Sequence, residues 1–173
     1  MVSSLSKQEA YELLTKYAKY RGKVFTVLNE ETNVSDGDYT YLLIQNDDGV
    51  LFDIDFLRAN ASDSAKVEVF KEVNVDTEGS TVPVTSTKGG TSVSDNVTAR
   101  VGGAYSGLTD ENKIDALRIQ GSGQGANVVG SDAQESVAVI GESGSNVLVR
   151  MENVSGSVND FQELKVKFTE LNL

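Results

Sequence analysis

Two pairs of aspartates, Asp47/Asp48 and Asp53/Asp55, are the first residues of this chain whose type and spacing could do chemistry. Neighbouring carboxylates offer the hard oxygen ligands that calcium takes. They do not follow EF-hand spacing, and in a chain with 26 acidic residues out of 173 such neighbours arise without a metal to hold, so solvated surface is the expected state. Gly121-Ser-Gly-Gln-Gly125 has the glycine density of a phosphate loop. It lacks the Gly-Lys-Ser/Thr step, and no helical pattern follows it, so a mobile surface loop is expected. Two converging acids could also hydrolyse a glycoside, but a sugar-cleaving site normally brings aromatic platforms and this chain has no Trp. It has no Cys and no His either, which excludes disulfides, thiolate nucleophiles, Ser-His-Asp triads and most zinc sites. The expectation is a structural or binding protein with no catalytic residues, no metal and no cofactor.

Asparagine supplies a different kind of candidate. Asn33-Val-Ser, Asn60-Ala-Ser, Asn96-Val-Thr and Asn153-Val-Ser are N-glycosylation sequons. With 12 Asn and 30 Ser or Thr in the chain, chance alone predicts about two, so four is a slight excess. An intact mass equal to that of the bare sequence would remove the idea.

These residues must be positioned by a fold, and composition narrows it. The formal net charge of −11 repels phosphate backbones and anionic membrane surfaces, so neither nucleic acid nor membrane is an expected partner. Such acidity would suit a very salty milieu, where screening removes the self-repulsion, although ten of the fifteen basic residues are Lys. No apolar run approaches the roughly 18 residues of a membrane span, and no signal-peptide core stands at the N-terminus. The missing cysteines fit a reducing cytoplasm, and equally an assembly stabilised by its partners.

Ser6-Lys7-Gln8-Glu9 is a capping box, followed by Ala10, Leu13, Leu14, Tyr17 and Ala18 at helical spacing and by Gly22 as a C-terminal stop. The spacing predicts a helix over about 7–21, in an arm of residues 1–22. Tyr11, Tyr17 and Tyr20 carry its apolar surface beyond one stripe, which predicts a second neighbour, with Leu13, Leu14, Tyr17 and Tyr20 as oligomer or capsid contacts.

After Gly22 the period changes to two. Val24–Leu28 reads as a short strand, and Asn33–Asp38 as turn chemistry. Tyr39–Gln45 and Val50–Leu57 flank Asn46-Asp47-Asp48-Gly49, which predicts a tight hairpin with Gly49 at positive φ. Phe52, Ile54 and Phe56 share one face of the second strand, and Asp53 and Asp55 point to a wet one. Lys66–Val73 sets Val67, Val69 and Val73 against Phe70. Residues 76–107 form a polar excursion whose low hydrophobicity predicts ordering by contacts with something else, and Pro83 confines its piece to an edge strand or arm. Strands are then expected at Ile114–Gln120, Ser136–Ile140, Asn146–Asn153 and Leu164–Leu171. Val147, Val149 and Met151 share one face, as do Leu164, Val166 and Phe168. About eight short strands with one N-terminal helix predict a mainly β domain over 23–173, a two-sheet jelly-roll-type β-sandwich, with a single-sheet barrel as the alternative.

The last third carries a resemblance. Glu135-Ser-Val-Ala-Val-Ile140, a polar turn, Asn146-Val-Leu-Val-Arg-Met-Glu-Asn153-Val-Ser-Gly-Ser-Val-Asn-Asp160 and a final amphipathic strand resemble the C-terminal half of small jelly-roll virion proteins of tailed viruses. More loosely, Val50–Leu57 matches their core strand, Val67–Phe70 the next, Gly79-Ser-Thr-Val82 the start of their polar excursion and Gly121–Gly125 their glycine loop, so that the likeness spans about 23–171. Where that family often has an Asn-x-Asn-Arg run, this chain has Thr85-Ser-Thr-Lys-Gly-Gly90, and no contact of that run is carried over. The resemblance implies a non-enzymatic decoration or turret protein on the capsid surface, made in the host cytoplasm and carried on the virion. Its implied partners are its own copies, as a trimer or a pentamer, and the major capsid protein or another virion protein. Acidity and sequons together would suit a virus of a halophilic archaeon. A receptor- or glycan-binding module on the virion surface is the competing expectation.

Overall fold

The computed structural model describes residues 7–20, 23–87, 94–120, 125–129 and 138–171. Helix α1 runs Lys7–Tyr20, as the apolar spacing predicts; Ser6 and Gly22, the expected cap and stop, lie outside the described residues. The strands are β1 (Val24–Val34), β2 (Tyr39–Asn46), β3 (Phe52–Ala61), β4 (Ala65–Lys71), β5 (Asn74–Thr77), β6 (Ser80–Val82), β7 (Thr85–Ser86), β8 (Val97–Val101), β9 (Ala104–Ser106), β10 (Lys113–Ile119), β11 (Gly125–Val129), β12 (Ala138–Ile140), β13 (Asn146–Asn153) and β14 (Asn159–Glu170).

They form two antiparallel sheets packed as a sandwich. The first has the order β11-β3-β14-β1-β7, with β12 also on β3; the second has β10-β4-β13-β2-β8-β6; β5 and β9 make a separate ribbon. Alternation puts one row of each strand between the sheets. Val67 and Val69, Val147, Val149 and Met151, and Leu42 and Ile44 meet Phe25, Val27, Leu164, Val166 and Phe168 there. The faces expected for β13 and β14 are therefore the buried ones.

Several boundaries and phases differ from the sequence reading, each for a local reason. The Asn46–Gly49 turn is not a hairpin, because β2 and β3 belong to different sheets. The backbone of Asn46 bonds across to the turn just before β13, donating to Ser145 and accepting from Gly144 (2.9 and 2.7 Å). Its side chain closes the crossover, donating to the Val50 carbonyl and accepting from the Gly49 amide. Gly49 does have positive φ, at 72°, and a Cβ there would stand 3.3 Å from the Ser143 nitrogen. Gly49→Ala is thus expected to cost about 1–2 kcal/mol, read as a lower urea midpoint at unchanged slope.

In β3 a bulge at Asp55 shifts the phase, so that even-numbered Phe52 and Ile54 and odd-numbered Leu57, Ala59 and Ala61 all enter the core. The side chains of Asp55 and Phe56 lie outside what is described. Glu72 has a φ of 54°, which turns Val73 onto the face of Phe70 rather than that of Val67 and Val69. β1 runs on to Val34, past the predicted turn start at Asn33, whose φ is 56°.

The polar excursion does not wait for another molecule: its described parts find partners within this chain. β6 extends the edge of the second sheet on β8, and β7 extends the edge of the first on β1. Residues 80–86 thus form a strap between the sheets. Pro83 sits between those two strands, where no ladder donor is needed, and Val84 is buried beneath. At Gly79, where the strap begins, a Cβ would collide with the Val101 carbonyl oxygen. The β5–β9 ribbon brings Val75, Tyr105 and Leu108 against Leu43, Phe70, Val73 and Leu148, a second apolar cluster on the outer face of the second sheet. Gly121 to Gln124 of the expected glycine loop lie outside the described residues, and Gly125 opens β11.

Candidate functional site

The strongest concentration of interacting charge lies beside that second cluster, on the outer face of the second sheet. β4 and β13 pair so that Glu68 stands opposite Arg150. Glu68 is only 2% exposed. Arg150 donates from Nε and Nη2 to Glu68 Oε2 (2.9 and 2.6 Å), while Lys66 and Lys113 reach Oε1 (2.9 and 3.5 Å). The Arg150 guanidinium also lies over the rings of Tyr39 and Phe70, 5.1 and 5.0 Å from their centroids. Burial alone would raise the Glu68 carboxyl, but the hydrogen bonds from Lys66 and Arg150 outweigh it and bring it down to about 2. The outer end of Lys113 is held by Asp110 at 2.6 Å.

A tyrosine ladder adjoins this network. Tyr39 stacks on Tyr41 with centroids 5.7 Å apart, and Tyr41 meets Tyr105 at 5.3 Å. Tyr105 donates its hydroxyl to the Gly102 carbonyl. Burial raises the Tyr41 phenol, with Arg150 partly opposing it; burial likewise raises Tyr105, opposed by Arg100. An absorbance titration of the six tyrosines should therefore show a fraction ionising later than free tyrosine, and losing that delay in urea. A single early transition would contradict this packing. The arrangement holds charge and rings against one another, which suits a rigid surface better than a reacting centre. Sequence reasoning missed it. The signal was the alternation Lys66, Glu68, Phe70 against Leu148, Arg150, Glu152, which pairs charge with charge and ring with chain once the strands are set side by side.

The aspartates do not converge. Asp47 accepts from the Thr98 hydroxyl at 2.7 Å and Asp48 is exposed. Asp53 is not on a wet face. It is 4% exposed in the middle of its sheet, between Thr169 of β14 and Val139 of β12, and its Oδ1 is buried without a hydrogen-bond partner. Among the described residues no group of three or more carboxylates could hold a metal ion.

At the far end of the sandwich Glu170 of β14 is 1% exposed and gathers Lys23 (3.6 Å), the Asn96 amide (2.5 Å) and the Ser94 hydroxyl (3.4 Å). This group ties the entry to β1 and the segment before β8 to the last strand.

Helix α1 lies against β14. Of its expected contact residues, Leu13 and Tyr17 are 53% and 54% exposed and Leu14 is half-buried; the Tyr20 side chain lies outside what is described. Leu13 and Tyr17, four apart, stand together on the open side of the helix.

The four sequons separate cleanly. Asn153 is fully buried and donates to the carbonyls of Val34 and Ser157. Asn60 donates to Glu163, and Asn96 to Glu170. Asn33 is exposed. No protein-family model matches the chain, and no curated protein matches it.

Proposed function

We propose that this chain is a non-enzymatic structural protein of a tailed-virus virion, a decoration or turret component on the capsid surface, built as a jelly roll with a helical arm. The observation that carries the reading is the strand order. Leaving out the excursion and the short β12, the chain alternates between the sheets except from β4 to β10, which are neighbours in the second, and the eight strands pair as β1-β14-β3-β11 and β2-β13-β4-β10. That wrapping supports the reading of the sandwich as a jelly roll. The arm supports the assembly role, since it lies against β14 with the apolar side chain of Leu13 exposed to solvent. The tyrosine ladder lends little to the competing glycan-binding reading, because Tyr41 contacts both other rings and Arg150 lies over Tyr39.

Deleting residues 1–22 is expected to leave a folded β-domain that elutes as a smaller species than the full chain in sizing chromatography. An oligomer of unchanged order would refute the arm as the assembly element. Electron microscopy of particles made without the protein should show bare or more fragile heads; particles indistinguishable from wild type would overturn the virion reading itself.

A further inference from the structure

We propose that Asn33 is the one sequon asparagine at which the folded domain accepts an N-linked sugar. The inference does not depend on the virion reading. An acceptor sequon must present two groups to a transferase, the carboxamide nitrogen and the hydroxyl two residues on. In three of the four sequons the fold has already used both. Asn153 Nδ2 donates to two backbone carbonyls at 2.8 and 2.7 Å, and Ser155 Oγ bonds Ser157. Asn60 Nδ2 donates to Glu163 at 3.0 Å, and Ser62 Oγ bonds Asn159 while accepting from the Phe161 amide. Asn96 Nδ2 donates to Glu170, and Thr98 Oγ1 donates to Asp47.

At Asn33-Val34-Ser35 the pattern reverses. Val34 is buried and anchors the segment, while Asn33 and Ser35 on either side of it are exposed. Neither side chain has a hydrogen-bond partner among the described residues. The left-handed backbone at Asn33, φ 56°, comes just before β1 gives way to the turn that leads to β2. Asparagine is one of the few residues other than glycine that adopt this backbone conformation. The site also lies about ten residues along β1 from the end of the arm, which at about 3.3 Å per residue is roughly 30 Å. A glycan there would project from the end of β1 opposite the one at which the arm joins it.

The donor is a sugar activated as a nucleoside diphosphate, since a soluble donor reaches the chain after it has folded. The bond between the anomeric carbon and the diphosphate oxygen breaks, a bond from that carbon to Asn33 Nδ2 forms, and one Nδ2 proton passes to a base of the transferase. The test uses the purified full chain, a soluble N-glycosyltransferase and UDP-glucose. Intact mass and peptide mapping are read on native protein, on urea-unfolded protein diluted into the same reaction, and on Asn33→Gln. The expected result is one hexose on the native chain, carried by Asn33 and lost in Asn33→Gln, with sugar appearing at the other sequons in the unfolded sample. A native chain that keeps its bare mass, or that carries sugar at Asn60, Asn96 or Asn153, overturns the proposal.

Discussion

Glu68→Gln is expected to lower folding stability by about 3 kcal/mol at neutral pH, with the loss fading in acid. The magnitude follows from linkage: a carboxyl held near 2 in the fold, against 4.5 ordinarily, contributes about 3 kcal/mol of stability when ionised in both states. Because the folded value is the lower one, that contribution is fully present above about pH 5 and drains away as pH falls toward 2. Urea unfolding of wild type and variant from pH 7 down to pH 2 should therefore give two curves that converge. The amide cannot accept charge-assisted bonds from Arg150 Nε and Nη2 as the carboxylate does, and it leaves Lys66 without its counter-ion and Lys113 with Asp110 alone. Removing the closest pair together, as Glu68→Met with Arg150→Met, should cost less than the single change, since the guanidinium that holds Glu68 Oε2 is no longer left unpaired, although Lys66 still loses its partner. Coincident curves would show that the network adds nothing to the fold, and a constant offset would show that the loss does not come from the charge of Glu68.

The second large effect belongs to Phe168. Its ring stacks on Phe25 at 5.6 Å and meets Phe52 edge-on at 5.5 Å, so three neighbouring strands, β1, β14 and β3, share one aromatic knot in the core. Phe168→Ala is expected to cost about 4 kcal/mol, from lost transfer energy and the cavity left between rings that cannot collapse onto one another. Phe161 on the same strand is 39% exposed, and its replacement by Ala should stay within about 0.5 kcal/mol. Urea midpoints at a common slope measure both. Similar losses at the two positions would mean that the knot is not where the stability of β14 resides.

What the residues disclosed in advance was whatever depends on near neighbours in the chain. Val147, Val149 and Met151, and Leu164, Val166 and Phe168, declare their buried face through a period of two, and the helix declares itself through Leu13, Leu14 and Tyr17. The crossover at Asn46–Gly49 was misread because turn chemistry describes how the chain reverses and not which sheet the next strand joins. That choice is made by β13, some hundred residues later, when the turn just before it bonds to Asn46. Single residues that reset the phase, Asp55 by a bulge and Glu72 by its positive φ, moved Leu57 and Val73 to faces that strict alternation denied them. Asp53 looked solvated, and Glu68 drew no notice, because nothing nearby in the chain covers them. Glu68 is enclosed by its strand neighbours and by Lys113 arriving after the excursion, and Asp53 by the strands on either side. The sequons show the same division. The motif marks four asparagines equally, and long-range hydrogen bonds separate one from the other three.

The pairing of the first and last long strands has a mechanical consequence. β1 and β14 are antiparallel neighbours, with Val24 opposite Thr169 and Val34 opposite Asn159. The start of one and the finish of the other therefore meet at a single corner. A load pulling these two points apart falls on one pair of backbone bonds at a time and opens the ladder from its end, as a zipper opens. A load between that corner and the Asn33 end acts along the strands, and the whole ladder must yield together. A domain anchored through its arm and loaded at the far end would meet the second geometry.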